Sequence, residues 1–389
     1  MENNKNIYKE IVKSLKFNLW NIDLSLIDQF LETFTNEFKL ENLDYISKEC
    51  NDKQFLEPEW TMLAGRILTF MIHHQMSREY INSRSMDFKK LIMVKDKDFP
   101  KITEETINNS SSQYNFMIKL NYPEPVDFDL NILNPKIISF SESTEIMKSH
   151  LLPEYYDFVM KNAKVLDDYI KKYQFRDFNF DLLGISVLKK SYLSHFKINN
   201  KLEIMETPTY MYLRIAIFLY FPWERKFSSN LTRIFEVFES LSEGLYSHAS
   251  PTMFNAGKLN HQMSSCFLID MADTTESITY SWKVVAEISR NCGGIGIGLE
   301  QLRHSEIGQN GITHGIIKWN KIFNEIINAF DQGGKRKGSL DSYLRDIHID
   351  IFEHIELNDV GPEDIRARDI FTSIMVSDLL MRRVEEDGD

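Results

Sequence analysis

The sequence predicts an α/β protein: a helical N-terminal part, followed by a part in which strands, helices and glycine-rich loops alternate. Three observations carry this. Glycine is unevenly spread, with only Gly65 and Gly184 before residue 240 but eleven glycines from Gly257 to Gly338. Apolar residues in the first half recur at helical spacing. In the second half, "SSCFLID", "DTTESITYSWKVVAEISRN", "NCGGIGIGLEQLR" and "HGIIKWNKIFNEIINAF" run in the order strand, helix, glycine-rich loop, helix, the alternation of an α/β fold.

The helices follow from their stripes. "DLSLIDQFLETF" places Leu24, Leu26, Ile27, Phe30, Leu31 and Phe34 at helical spacing, and "EPEWTMLAGRILTFMIHH" forms a second helix. Residues 95–150 hold Pro100, Pro123, Pro125 and Pro135 among polar clusters, a pattern of loops and short elements. "PEYYDFVMKNAKVLDDYIKKY" restarts a helix. In "NLTRIFEVFESLSEGLYS", Asn230 is a candidate cap and Leu231, Ile234, Phe235, Phe238, Leu241 and Leu245 form one core-facing stripe. "SSCFLID" reads as a buried strand. The helix after it opens with Asp273 and Glu276 at capping-box spacing, and the last helix shows Trp319, Ile322, Phe323, Ile326 and Phe330 on one face.

Composition excludes several classes. The 389 residues suffice for two or three domains. A net charge of -12 argues against a duplex nucleic-acid binder. Three cysteines, Cys50, Cys266 and Cys292, make no disulfide framework, and no cluster has metal-ligand spacing. The N-terminus lacks the apolar core of a secretory signal, and no run is long enough to span a membrane, so a cytoplasmic setting is expected.

Three stretches could carry chemistry. In "NCGGIGIGLEQLR" the glycines admit close backbone approach, either to a phosphate or to a crowded strand neighbour. The dinucleotide pattern GxGxxG fails, because Gln301 stands where the third glycine would fall. In "FDQGGKRKGSLDSY", Gly333 and Gly338 have Walker spacing without the Lys-Ser/Thr that must follow. What remains is a loop with Lys335, Arg336 and Lys337, suited to phosphate contact or to a solvated basic turn. In "SHASPTMFNAGKLNHQMSSCFLID", Ser250, Thr252, Ser264 and Ser265 bracket Cys266, which alone reads as core filler or as a thiol with a chemical role.

Taken in order, "EWTMLAGRI", "FDLLGISVLKKSYL", "ETPTYMYLRIA", "SHASPTMFNAGKLNHQMSSCFLI", "GGIGIGLEQLR", "DQGGKRKGS", "HIDIFEHIEL", "RARDIF" and "DLLMRRVE" resemble the large catalytic subunit of class I ribonucleotide reductase, from about residue 58 onward. The resemblance implies a helical N-terminal domain over 58–245 and, over 246–389, the first part of a ten-stranded α/β barrel. It also implies reduction of ribonucleotides to 2′-deoxyribonucleotides by thiyl-radical chemistry. Cys266 matches one thiol of the reducing pair. Ser250 and Ser265 match substrate contacts. Asp273, Arg290, Arg303, Ile307 and Gly308 match the effector-nucleotide site, and Gly334, Lys335, Arg336 and Gly338 match the second specificity loop.

The partners so implied are a ribonucleotide substrate, dNTP or ATP effectors with Mg, a second copy of the chain and a small subunit that generates the radical at a metal centre. No cofactor or metal is expected in the chain itself, nor any nucleic-acid or membrane partner. Residues 1–57 show no ATP-cone hairpin, so that segment is expected to be helical with the cone degenerate or missing. The match stops before the family's radical cysteine, second reducing thiol and shuttle cysteines. The chain is therefore expected to need a C-terminal half, or else to be a non-catalytic nucleotide-binding paralogue. The first specificity loop is short between Arg303 and Gly315, and "YLRDIH" has Asp346-Ile347 where the family commonly has Pro-Trp.

Overall fold

A computed structural model describes residues 7–16, 18–34, 39–77, 80–81, 137–221, 231–306, 309, 311–313, 315–330 and 338–388. The chain divides into two compact units: Met1–His248 with Met253–His261, and Ala249–Thr252 with Gln262–Asp389.

The first unit is helical. Its elements include α1 (Ile7–Leu15), α2 (Ser25–Glu32), α3 (Leu40–Asp52), α4 (Glu59–Gln75), α5 (Pro153–Lys161), α6 (Ala163–Lys171), α7 (Pro208–Tyr220) and α8 (Leu231–Ser242), with one small antiparallel hairpin of β1 (His195–Ile198) and β2 (Lys201–Ile204). Helix α4 is buried nearly all round, from Trp60 through His73, as befits a helix without a polar face. The stretch read as one helix after Leu152 is two, because the chain breaks at Asn162, whose side chain turns back to donate to the Phe158 carbonyl at 2.8 Å. Such local bonding competes with helix continuation. Leu231–Ser242 is helical with Ile234, Val237, Phe238 and Leu241 buried, whereas Leu245 lies beyond its end and Asn230 outside the described residues.

Buried polar groups tie this unit together. Arg214 on α7 donates to Glu206 at 2.5 Å, to the Ala256 carbonyl at 2.5 Å and to the Met253 carbonyl at 3.0 Å. Asp177 accepts from the Thr209 amide at 2.7 Å and lies 2.9 Å from His73 Nε2. Charges this deep persist only when paired.

The second unit is a parallel sheet in the order β3 (Cys266–Asp270), β4 (Gly294–Gly298), β5 (Ser339–Arg345), β6 (Phe371–Met375). Its connections are α9 (Thr275–Arg290), α10 (Ile317–Ala329) and α11 (Ile351–Ile355), and α12 (Asp378–Glu385) follows β6. Parallel strands joined in sequence by right-handed crossovers put their helices on one face. The core confirms it: Ile295, Ile297, Leu340 and Leu344 pack with Ile278 and Val285 of α9 and Phe323 and Ile327 of α10. On α10 the buried line is Asn320, Phe323, Asn324 and Ile327, while Phe330 ends the helix 40% exposed.

No described element covers the other face. Residues pointing there alternate with the core residues: Cys266, Leu268 and Asp270 on β3, Gly294, Gly296 and Gly298 on β4, and Asp341 and Tyr343 on β5. The strand read as buried is therefore open on this side, and Leu268 is 86% exposed. Its continuous apolar run is what a strand of a two-sided, fully covered parallel sheet shows.

Candidate functional site

Cys266 begins β3 and is exposed, in contrast to the fully buried Cys50. The core-filler reading does not hold for it. Its Sγ lies 3.8 Å from Ser265 Oγ, and the Ser265 carbonyl accepts from the Gly294 amide at 2.8 Å, which extends the ladder to the strand's first residue. Ser250 opens the short helix Ser250–Asn255. Two residues on, Thr252 Oγ1 donates to the Met263 carbonyl at 3.4 Å, tying that segment to the lead-in of β3.

Beside Cys266 the face is kept low by glycine. A Cβ at Gly296 would stand 2.8 Å from Leu268 Cδ2 and 3.0 Å from Tyr343 Cε2, so the neighbours on β3 and β5 close across the glycine strand. Next to Tyr343, Asp341 accepts from Ser373 Oγ at 2.8 Å. The hydrogen bond and charge of the Asp341 carboxylate push the Tyr343 phenol up, with smaller contributions from burial and from Cys266. Asp341 and Tyr343 escaped the sequence reading. The sequence gives little signal for them, since "SLDSYL" does not alternate cleanly: Ser342 is polar yet buried on the core face between Leu340 and Leu344.

A second group gathers at the opposite edge. Asp273 follows the C-terminal end of β3 and Arg303 that of β4, and the Arg303 guanidinium closes on the Asp273 carboxylate, with its second nitrogen 3.5 Å from the Asp273 carbonyl. Asp273 does not cap α9. Thr274 does, accepting from the Ser277 amide at 3.2 Å, while Ser277 Oγ accepts from the Ala272 amide at 3.0 Å. The capping box expected of Asp273 and Glu276 is thus one residue out of register, and the Asp273 carboxylate is left to pair with the arginine.

Arg290 is not with them. It is the last residue of α9, about 22 Å along the helix from its first residue at 1.5 Å per residue. It returns to the edge where Cys266 lies. Gly338 is there too, directly before β5, and a Cβ on it would stand 2.3 Å from Ser289 Oγ, one residue from Arg290. The site residues inferred from sequence therefore form two groups: Cys266, Ser265, Arg290 and Gly338 at the N-terminal edge of the sheet, and Asp273 and Arg303 at the C-terminal edge. A five-residue strand separates them, about 13 Å at 3.3 Å per residue. Ile307, Gly308, Gly334, Lys335 and Arg336 lie outside the described residues.

Among the described residues no group of three His, Cys, Asp or Glu side chains could hold a metal ion, and no helix is long and apolar enough to cross a membrane.

Two family models match the chain: the all-alpha domain of ribonucleotide reductase over residues 178–261 and its barrel domain over residues 264–389. The chain is 37% identical over 274 residues to the ribonucleoside-diphosphate reductase large subunit of Dictyostelium discoideum, covering 69% of this chain and 29% of that protein. It is 40% identical over 235 residues to that of Acanthamoeba polyphaga mimivirus, covering 60% and 25%, and 41% identical over 220 residues to that of Vaccinia virus (strain Copenhagen), covering 55% and 27%. The chain thus spans between a quarter and a third of the relatives it matches. With a helical domain and a parallel sheet in the order the two models require, this chain belongs to the ribonucleotide reductase large-subunit family.

Proposed function

We propose that this chain is the N-terminal part of a ribonucleoside-diphosphate reductase large subunit and takes part in reducing ribonucleotides to 2′-deoxyribonucleotides. The observation that carries this is Cys266, exposed at the N-terminal edge of a parallel sheet beside a strand whose open-face positions are all glycine. A ribose needs that clearance to bring its 2′-carbon to a thiol. In this reading a thiyl radical takes the 3′-hydrogen. Cys266 and a second thiol then supply two electrons and two protons, the 2′ C–O bond breaks, water leaves, a disulfide forms and the 3′-hydrogen is returned. The second thiol and the radical cysteine come from the remainder of the large subunit, and the radical from a metal-containing small subunit. Ser250 and Ser265 hydrogen-bond substrate oxygens without adding charge.

The C-terminal edge takes the effector. Arg303 offers a planar, permanently charged fork for phosphate, Asp273 a carboxylate for ribose hydroxyls, and the N-terminus of α9 adds its dipole. A dNTP or ATP with Mg held there meets an Arg290 and a Gly338 from a second copy of the chain, since its own Arg290 and Gly338 lie at the far end of α9; Gly334, Lys335 and Arg336 belong to the same second specificity loop in this reading. The site is therefore shared across a homodimer, with Ile307 and Gly308 on the first loop. The setting is cytoplasmic.

The test is complementation. The chain is mixed with a protein supplying the rest of the family's barrel and with a radical-generating subunit, and deoxyribonucleotide is measured. Product above that of either component alone is expected. No product in any such mixture contradicts the reading.

A further inference from the structure

Behind Arg303 lies a buried carboxylate, the third residue of "HIDIFEHIEL", to which the proposed chemistry gives no role. Asp350, 3% exposed, follows the C-terminal end of β5. One of its oxygens accepts a hydrogen bond from His304 Nδ1–H, and the other accepts from the Ile316 amide at 3.1 Å. Gly315 fits against it only because it is glycine: its φ is +56°, and a Cβ there would stand 2.2 Å from Asp350 Oδ2.

His348 completes the arrangement. Its Nδ1 accepts from the Asp350 amide at 3.0 Å, so the ring proton sits on Nε2, which donates to the Leu302 carbonyl at 3.2 Å. Nδ1 and the Asp350 carboxylate, 3.9 Å apart, are both acceptors and make no bond. Residues 302, 304, 315 and 316, which are the two stems of the loop between β4 and α10, are thus gripped by two residues of one short segment. Within the stems, the Thr313 amide donates to the Ser305 carbonyl at 2.9 Å, the Ser305 amide to Thr313 Oγ1 at 3.0 Å, and Glu306 bridges Ile312.

Arg303 lies between the two gripped residues Leu302 and His304. We propose that Asp350 and His348 are positioning residues for the effector site. They hold Leu302 by its carbonyl and His304 by its ring, one on each side of Arg303, keep its guanidinium over Asp273, and so set the affinity for the nucleoside triphosphate that selects the substrate. This rests on the reading of Asp273 and Arg303 as a nucleotide site. The groups act through geometry: a misplaced cation costs binding even when the fold survives.

The experiment is calorimetric titration of the full chain with dATP, dTTP and dGTP, alongside hydrogen exchange at the Ser305, Thr313 and Ile316 amides. His304→Ala removes the half-exposed partner of the staple without uncovering a core. Its nucleotide affinity falls about tenfold, the worth of one charge-assisted hydrogen bond, with its melting temperature lowered by only a few degrees, since water reaches the freed Asp350 oxygen where the part-exposed ring stood, and exchange is faster at those three amides. His304→Gln, whose amide can donate to the same oxygen, recovers most of the affinity. Asp350→Asn, which keeps the shape and loses one acceptor, weakens binding likewise. Affinity unchanged in both His304→Ala and Asp350→Asn overturns the positioning role while leaving the nucleotide site standing. Wild-type chain that binds none of the three nucleotides overturns the reading of the site, and the inference with it.

Discussion

The ring of Tyr343 lies over the backbone of Gly296, so that the strand between Cys266 and Asp341 presents no side chain of its own on the open face. A β-carbon at Gly296 meets two side-chain ends, Leu268 Cδ2 at 2.8 Å and Tyr343 Cε2 at 3.0 Å, and both must give way. Gly296→Ala should therefore cost about 1–3 kcal/mol by overpacking, measured by chemical denaturation. An unchanged midpoint would mean that the two neighbours swing aside freely and that the close approach is incidental.

The three thiols should differ in reactivity. Cys50 is fully buried, and burial pushes its thiol up to about 12, with a small further rise from Glu49. Cys266 is exposed and Cys292 intermediate. A thiolate-directed reagent on the folded protein near neutral pH should modify Cys266 and spare Cys50. Mass spectrometry of the modified peptides decides, and labelling of Cys50 at a rate comparable to Cys266 contradicts the burial pattern.

The Asp273–Arg303 pair should matter for binding more than for stability. The arginine side chain is 61% exposed, and exposed pairs contribute roughly 0–1 kcal/mol to folding. Asp273→Asn should leave the melting temperature within a few degrees of wild type. Its dNTP affinity should fall by about ten- to a hundredfold, the cost of losing a hydrogen bond to a charged group. Parallel loss of stability and binding would mark the pair as structural.

Acid should unfold the helical unit through Glu206. Burial opposes ionisation of this carboxyl, but Arg214, then Lys258 and the hydrogen bonds from Arg214 and Ser194, hold it below its ordinary 4.5. A depressed folded value means the stabilisation is present above the unfolded value and is lost as pH falls through the folded one. Denaturation midpoints should drop below about pH 4.5, and the drop should be shallower in Glu206→Gln. Arg214→Met, which strands the buried carboxylate, should cost about 3–5 kcal/mol at neutral pH. A cost under 1 kcal/mol would show that the pair is not organising the unit.

Much of this architecture was legible in the residues. The stripes Leu24–Phe34 and Ile234–Leu241 mark helices, because period is a local property, whereas the glycine run placed in the element order as a loop is strand β4, Gly294–Gly298. What stayed hidden depends on neighbours distant in sequence. "CFLI" reads as buried on both sides, yet Leu268 faces a side that no described element covers. Asp273 looked like a cap because its spacing is right by one residue, and Thr274 took the role. Arg290 and Arg303 are 13 positions apart and look like one site, but strand β4 runs between them and carries them to opposite ends of the sheet. His348 and Asp350 lie in "HIDIFEHIEL", but their link to His304 stayed hidden, since the members come from two loops that only the parallel pairing of β4 and β5 brings together.

Turnover by Cys266→Ser tests the central claim most directly. In the complemented mixture with a radical-generating subunit, the wild-type chain should yield deoxyribonucleotide and the Cys266→Ser chain none, with dNTP binding equal in the two. Normal turnover by the serine variant would remove Cys266 from the reaction and contradict the account.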